Sequence, residues 1–329
     1  MNKLWVEVDV RDCIILYVDY ILERTEIKLK WMLRMIGISK SKYYKWKRRL
    51  GKANQHNQSL PKSNWLLPWE RDAIIQYARS HYAENDYYLR DGYRRLTYRM
   101  LDENIVAVSS SSVYRILKSE GLLNQWNTAK TSSKGSGFKQ PTAPHQHWHT
   151  DIKYINYKGS FLFLISVMDG YSRYIVHHEV RAEMKEYDVQ VVIQRAKEKY
   201  PDQKPRIISD NGGQFISKDF QEFIKHLELV HIKTSVAYPQ SNGKLERFHR
   251  SLGMECLHTN SFISIEDARE TIAEYVDHYN RVRLHSALFY LTPEDFLLGR
   301  EKEKIALREK KLENAALNRN QFWSMNAVA

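Results

Sequence analysis

The chain has 329 residues, 43% hydrophobic and 27% charged, the balance of a globular protein rather than a disordered or fibrous one. That length exceeds one ordinary core, so two or three domains are expected. Lys and Arg number 51 against 39 Asp and Glu, and the net charge of +12 points to a polyanionic partner, nucleic acid ahead of an acidic membrane. Two cysteines, Cys13 and Cys256, exclude a disulfide framework and a four-thiolate zinc site, and they suit a reducing compartment. No apolar run nears the roughly 20 residues of a bilayer span. Glu7, Asp9 and Asp12 break any signal-peptide core, so a cytoplasmic protein with access to DNA and no membrane partner is expected.

Residues 1–50 read as a helix-turn-helix domain. A helix is expected over about 11–23, packed against the pair that follows. Between Arg24 and Arg49 stand ten basic residues and one acid, Glu26. Gly37 supplies the sharp turn between two helices, and Ser39 caps the second. That second helix offers Lys42, Tyr43, Lys45, Trp46 and Arg49 as groove or phosphate contacts, a solvated basic face being the plainer alternative. A polar linker is expected over 51–68. Residues 69–123 form a second helical domain, with apolar stripes at Ile74, Ile75 and Ala78, at Leu96, Met100 and Leu101, and at Val113, Ile116 and Leu117. Arg94, Arg95, Arg99, Arg115 and Lys118 are its candidate phosphate contacts. Residues 124–146, rich in Ser, Thr, Gly, Lys and Pro, mark a flexible linker.

From His147 the pattern turns strand-like. Strands are expected around Asp151, over the apolar run Phe161–Met168, over Tyr174–Val180, over Arg206–Ser209 and over Val230–Ser235. Helices are expected over Glu186–Tyr200 and Lys218–Leu227, with a last one carrying Glu246. The order β-β-β-α-β-α-β-α describes an α/β unit with a mixed sheet, spanning 147–298. A charged helical tail over 299–329 is expected to be solvated or to meet a partner helix.

Three carboxylates define the candidate site. Asp151 sits inside the first strand, Asp210 ends the fourth and opens a glycine turn, and Glu246 follows after 35 intervening residues on a helix whose apolar stripe is Leu245, Phe248 and Leu252. Each alone is as readily an ordinary surface acid. Together, two strand-borne aspartates and a helix-borne glutamate suit two divalent cations, the requirement for in-line attack on a phosphodiester. Lys244, Arg247 and Arg250 flank Glu246 as possible phosphate contacts. Asp169 reads as a turn aspartate ahead of a metal ligand, and His145, His147 and His149 as the entry to a strand rather than a metal site.

Trp148-x-Thr150-Asp151, Ser209-Asp210-Asn-Gly-Gly-Gln-Phe215 and the interval to Glu246 resemble the catalytic core of the retroviral-integrase superfamily. Within it the chain most resembles transposases of the IS3 family of bacterial insertion sequences. Gly37–Trp46, Asp91–Leu96, Val108–Leu122 and Tyr279–Phe296 resemble further segments of that family, so the likeness runs from about 30 to 298. It implies a ribonuclease-H-like five-stranded mixed sheet with flanking helices. It also implies Mg²⁺ at Asp151, Asp210 and Glu246 as two ions, with Mn²⁺ as a substitute. The implied reaction is cleavage at the element ends followed by 3′-OH strand transfer through a circular intermediate. Double-stranded DNA, a homodimer or higher multimer and a separately encoded helper subunit are the implied partners, in the bacterial nucleoid. Gly253 departs from a position where the family carries Lys or Arg. Arg281, Arg283 and His285 in the last segment are further candidate DNA contacts. A phage or retroelement integrase and a catalytically silent DNA-binding regulator are the alternatives.

Overall fold

The computed structural model describes residues 6, 8–52, 65–83, 91–123, 140–233 and 243–326. Most of both expected linkers and the segment 234–242, which leads into the Glu246 helix, lie outside the described residues. The chain divides into two compact units, Met1–Trp65 with Asn320–Ala329, and Leu66–Arg319.

In the first unit α1 (Val8–Arg24), α2 (Leu29–Ile36) and α3 (Lys40–Lys47) surround Ile15, Val18, Met32, Leu33, Ile38, Tyr43 and Trp46. Gly37 ends α2 in the left-handed region at φ 75°, where a side chain would strain the backbone. Ser39 then caps α3, its hydroxyl accepting the Lys42 N–H at 3.2 Å. Arg11 is buried and donates to the carbonyls of Arg49 and Lys52, both at 2.8 Å, holding the end of α3 to α1. The turn at Gly37 and the cap at Ser39 stand between α2 and α3, but two of the expected DNA contacts are not on the surface. Tyr43 is 2% exposed, with its hydroxyl donating to Asp19, and Trp46 is 6% exposed. A helix of eight residues must bury one stripe, and the aromatic pair at i, i+3 fills it. Lys45 remains exposed, and Lys42 lies with its ammonium 4.7 Å from the Trp46 ring.

The second unit opens with α4 (Pro68–Ala83), α5 (Tyr93–Asp102) and α6 (Ser110–Ser119), which enclose Ile74, Ala78, Leu96, Met100, Val113 and Leu117. Arg95 and Arg99 are turned onto the buried carboxylate of Asp91, at 2.8 and 2.5 Å. Arg95 therefore braces this bundle, while Arg94 and Arg115 are exposed.

A sheet follows, built from β1 (His147–Tyr157), β2 (Ser160–Asp169), β3 (Ile175–Arg181), β4 (Arg206–Ser209) and β5 (Val230–Lys233) in the order β3-β2-β1-β4-β5. β1 pairs antiparallel with β2 and β2 with β3, whereas β1–β4 and β4–β5 are parallel. This topology is ribonuclease-H-like. α7 (Glu186–Lys199), the short turn α8 (Gly213–Ile216) and α9 (Lys218–His226) connect the strands, and their apolar residues pack with Trp148, Ile165 and Val167 on one face. α10 (Gly243–Leu252) and α11 (Ile265–Arg281) cover the other face, where Leu164 and Met168 meet Leu245, Phe248, Leu252, Ile272 and Tyr275.

After α12 (Pro293–Leu297) the chain forms α13 (Glu301–Asn326). Its Glu301–Arg319 part is not the solvated helix that mixed charges suggest. Arg308 is buried, paired with both oxygens of Asp102 at 2.8 and 2.6 Å, and it donates to the carbonyls of Phe289 and Tyr290. Arg319 is buried against Glu70, with contacts of 2.8–3.1 Å. Both arginines tie α13 to the α4–α6 bundle.

Because both groups of the Arg319–Glu70 pair are desolvated, removing one strands the other. Arg319→Leu should cost about 3–5 kcal/mol in denaturant unfolding, and adding Glu70→Leu should recover most of that loss. An Arg319→Leu chain as stable as the parent would show that the pair is not needed.

Candidate active site

β1 alternates its side chains between two apolar layers. Trp148 enters the α7–α9 side, and Asp151 the side covered by α10. The parallel register pairs His147 with Arg206, Trp148 with Ile207 and His149 with Ile208. Carried two residues further, it brings Asp151 level with Asp210 just beyond the end of β4. There the Asp210 carboxylate accepts the Gly212 N–H at 3.0 Å. A Cβ on Gly212 would stand 3.1 Å from the same oxygen and 3.0 Å from the Gln214 amide oxygen, so a side chain there would press on both. At Gly213 the corresponding space is open. Glu246 occupies the first turn of α10 and is exposed, while Leu245, Phe248 and Leu252 are buried as their spacing predicts.

Asp151 is the desolvated member, with 20% of its side chain exposed. Burial raises its pKa to about 6; the Ile152 N–H, 2.9 Å from Oδ1, opposes this, and the carboxylates of Asp210 and Glu246 raise it further. The charges of Asp210 and Glu246 thus both reach Asp151. Among the described residues no three acidic, imidazole or thiolate groups stand close enough together to hold a metal ion. The donor set is all oxygen, the hard chemistry that Mg²⁺ and Mn²⁺ prefer, and the repulsion around Asp151 is of the kind a bound cation relieves.

A residue absent from the expected set stands beside Asp151. His249, on the turn of α10 after Glu246, places Nδ1 3.5 Å from Asp151 Oδ2. Burial first, then Lys153, lowers the His249 pKa to about 3, so this is a neutral imidazole near a carboxylate and not an ion pair. Its i, i+3 spacing from Glu246 was the available signal.

The neighbouring expectations divide. Asp169 is buried and accepts the His145 and Ser172 N–H groups, both at 2.7 Å, and the Ser172 hydroxyl at 2.6 Å, the work of a turn aspartate. Gly170 packs so tightly on His149 that a Cβ would lie 2.7 Å from its Nε2. Lys244 is turned inward as well. Its ammonium donates to the Gly170 carbonyl, and burial, with help from Arg173, lowers its pKa to about 8. Arg247 and Arg250 are exposed. Gly253 opens a π-helical turn, Gly253–Leu257, and is itself buried. Arg283 and His285 are buried too, and Arg283 grips both oxygens of Glu255 at 2.8 and 2.6 Å. Burial keeps both from the surface, and the Arg283 guanidinium is taken up by Glu255, which also accepts the Tyr275 hydroxyl.

Residues 141–239 match the family model described as Integrase core domain, and residues 228–293 match a second model of the same description. Transposase InsF for insertion sequence IS3A of Escherichia coli (strain K12) is 32% identical over 163 residues, covering 47% of this chain and 54% of the relative. The transposase for insertion sequence element IS904 of Lactococcus lactis subsp. lactis (strain IL1403) is 28% identical over 157 residues, 47% of this chain and 62% of the relative. The similarity to these IS3-type transposases lies in the integrase core. The chain spans about half the length of the first of these curated relatives. Among solved structures, a chain of the simian T-cell lymphotropic virus intasome in complex with PP2A regulatory subunit B56 gamma is similar at TM-score 0.44 and 16% identity, covering 68% of this chain and 74% of that one. The HTLV-2 integrase catalytic core domain in complex with magnesium (dimeric form) is similar at TM-score 0.38 and 18% identity, covering 47% and 98%. The two regions matched by the integrase core models together contain Asp151, Asp210 and Glu246.

A carboxyl with a raised pKa binds its proton more tightly folded than unfolded, so in the cation-free protein the Asp151 contribution to stability falls as pH rises from about 4 to about 6. Asp151→Asn removes that penalty. The variant should be more stable than the parent above pH 6 by about 1–2 kcal/mol, the full shift being reduced by residual exposure, and the two should converge below pH 4. Thermal unfolding in chelator across that range checks it, and a variant less stable at pH 7 would overturn it.

Proposed function

We propose that this chain is a DDE transposase that binds insertion-sequence ends, cleaves DNA and transfers the freed 3′-OH to a second phosphodiester. The observation that carries the proposal is the coupling of Asp151 to Asp210 and Glu246 across a register that sets the two aspartates level. Asp151, Asp210 and Glu246 are the residues that would hold two Mg²⁺ ions, or Mn²⁺ in their place. Divalent ions bound there supply activation of the attacking oxygen and neutralisation of charge on the leaving oxygen.

The protein's own part is positional. β1 carries Asp151, Asp210 follows directly on the end of β4, and Glu246 stands in the first turn of α10, which packs on one face of the sheet. The Gly212 turn keeps the backbone close to Asp210 without obstructing its outer face. In the first step water breaks a phosphodiester and leaves a 3′-OH. In the second, that hydroxyl forms a new phosphodiester as another strand is broken, with no covalent protein–DNA link.

DNA is the proposed partner, held through phosphates by the exposed Lys45, Arg94, Arg115, Arg247 and Arg250 and by the partly exposed Lys42 and Arg49. A dimer or larger assembly and a helper subunit belong to the same proposal.

The test is Mg²⁺-dependent cleavage and strand transfer on DNA carrying the element ends. Asp210→Asn and Glu246→Gln should each lower both activities by at least about a hundredfold, while DNA binding stays within a few-fold of the parent. Undiminished joining by either variant would refute the catalytic assignment.

A further inference from the structure

The face of β1 that carries Asp151 also carries His149 and Lys153, and it packs on Leu164 and Met168 of β2 and Leu245, Phe248 and Leu252 of α10. Two further polar groups enter from neighbouring elements. Ser166 lies directly across the antiparallel ladder from Asp151, and His249 reaches in from α10. Both are buried, and neither the Ser166 hydroxyl nor the His249 Nε2 has a hydrogen-bond partner among the described residues. Leaving such groups unpaired in a core is unfavourable. His249 faces the Asp151 carboxylate, 3.5 Å from Nδ1, with Lys153 also near enough to act on it.

We infer that His249 is a positioning residue for Asp151: its Nδ1–H holds one carboxylate oxygen and so orients the other toward the divalent cation of the proposed centre. The inference rests on that reading of the site. The approach needs only a few tenths of an ångström to become an ordinary hydrogen bond. Groups that orient a metal-binding carboxylate typically contribute ten- to a hundredfold to metal affinity when removed. The contact also links α10 to β1, so that Glu246 and the group orienting Asp151 ride on one helix.

Side-chain geometry supplies a discriminating test. Asn carries its amide nitrogen where the imidazole carries Nδ1, whereas the longer Gln places its amide nitrogen nearer Nε2. Mn²⁺ binding to the full chain, followed by calorimetry without DNA, should weaken about tenfold or more in His249→Gln and His249→Leu. It should stay within about threefold of the parent in His249→Asn. Ser166→Ala, which touches no donor to Asp151, should leave Mn²⁺ affinity unchanged. Equal affinities for the Asn and Gln variants, or an undiminished His249→Leu, would overturn the positioning role. Should His249→Leu not fold, the Asn–Gln comparison still decides. Asp210→Asn is the control for the centre itself. If it too binds Mn²⁺ like the parent, the failure lies with the metal-centre proposal and not with His249.

Discussion

Parallel pairing of β1 with β4 is the constraint from which the candidate site follows. A parallel neighbour cannot be reached by a tight hairpin, so β2, β3 and α7 intervene before the chain returns beside β1. Once it does, the register leaves no freedom. Shifting it by one residue would move Asp210 away from the level of Asp151 and turn Ile207 and Ile208 out of the layers they fill. The placement of two acids far apart in sequence is therefore enforced by apolar packing, and the carboxylates need contribute nothing to it.

The same packing sets their unequal chemistry. Asp151 lies within the ladder under α10 and is desolvated, while Asp210 and Glu246, one past a strand end and one off the buried stripe of a helix, are exposed. Repulsion among like charges falls most heavily on the buried member. A fold that only had to be stable would place an apolar residue at 151; on the proposed reading the carboxylate there marks where stability yields to chemistry.

Strands and caps were legible in the sequence because their signals are local. The apolar run Phe161–Met168 lies within β2, Arg206–Ser209 is β4, and Ser39 caps α3. Glu246 could be placed off the stripe of Leu245, Phe248 and Leu252 from helical periodicity alone. What escaped is what depends on distant partners. Arg308 reads as one of many tail charges until Asp102, 206 residues away, is beside it. Arg283 looks like a DNA contact until Glu255 meets it, and Lys244 until Gly170 does. Tyr43 and Trp46 failed for another reason. A basic run states that a segment is charged but not which of its side chains a short helix must bury. His249 was within reach of helical spacing from Glu246, but its role needed the sheet beneath it.

A basic surface around an acidic centre poses an electrostatic problem that the proposed reaction resolves. The chain's +12 charge draws a polyanion toward it, and exposed residues such as Arg247 and Arg250 adjoin Glu246 on α10. Yet a phosphodiester brought up to Asp151, Asp210 and Glu246 alone would meet like charge on every side. Attraction at long range and repulsion at the last few ångströms coexist unless counter-charge sits between the carboxylates and the phosphate. On the proposed reading, then, affinity for DNA belongs to the periphery and competence for chemistry to the centre. Losing an acid should therefore separate the two properties, whereas losing a surface arginine should weaken them together.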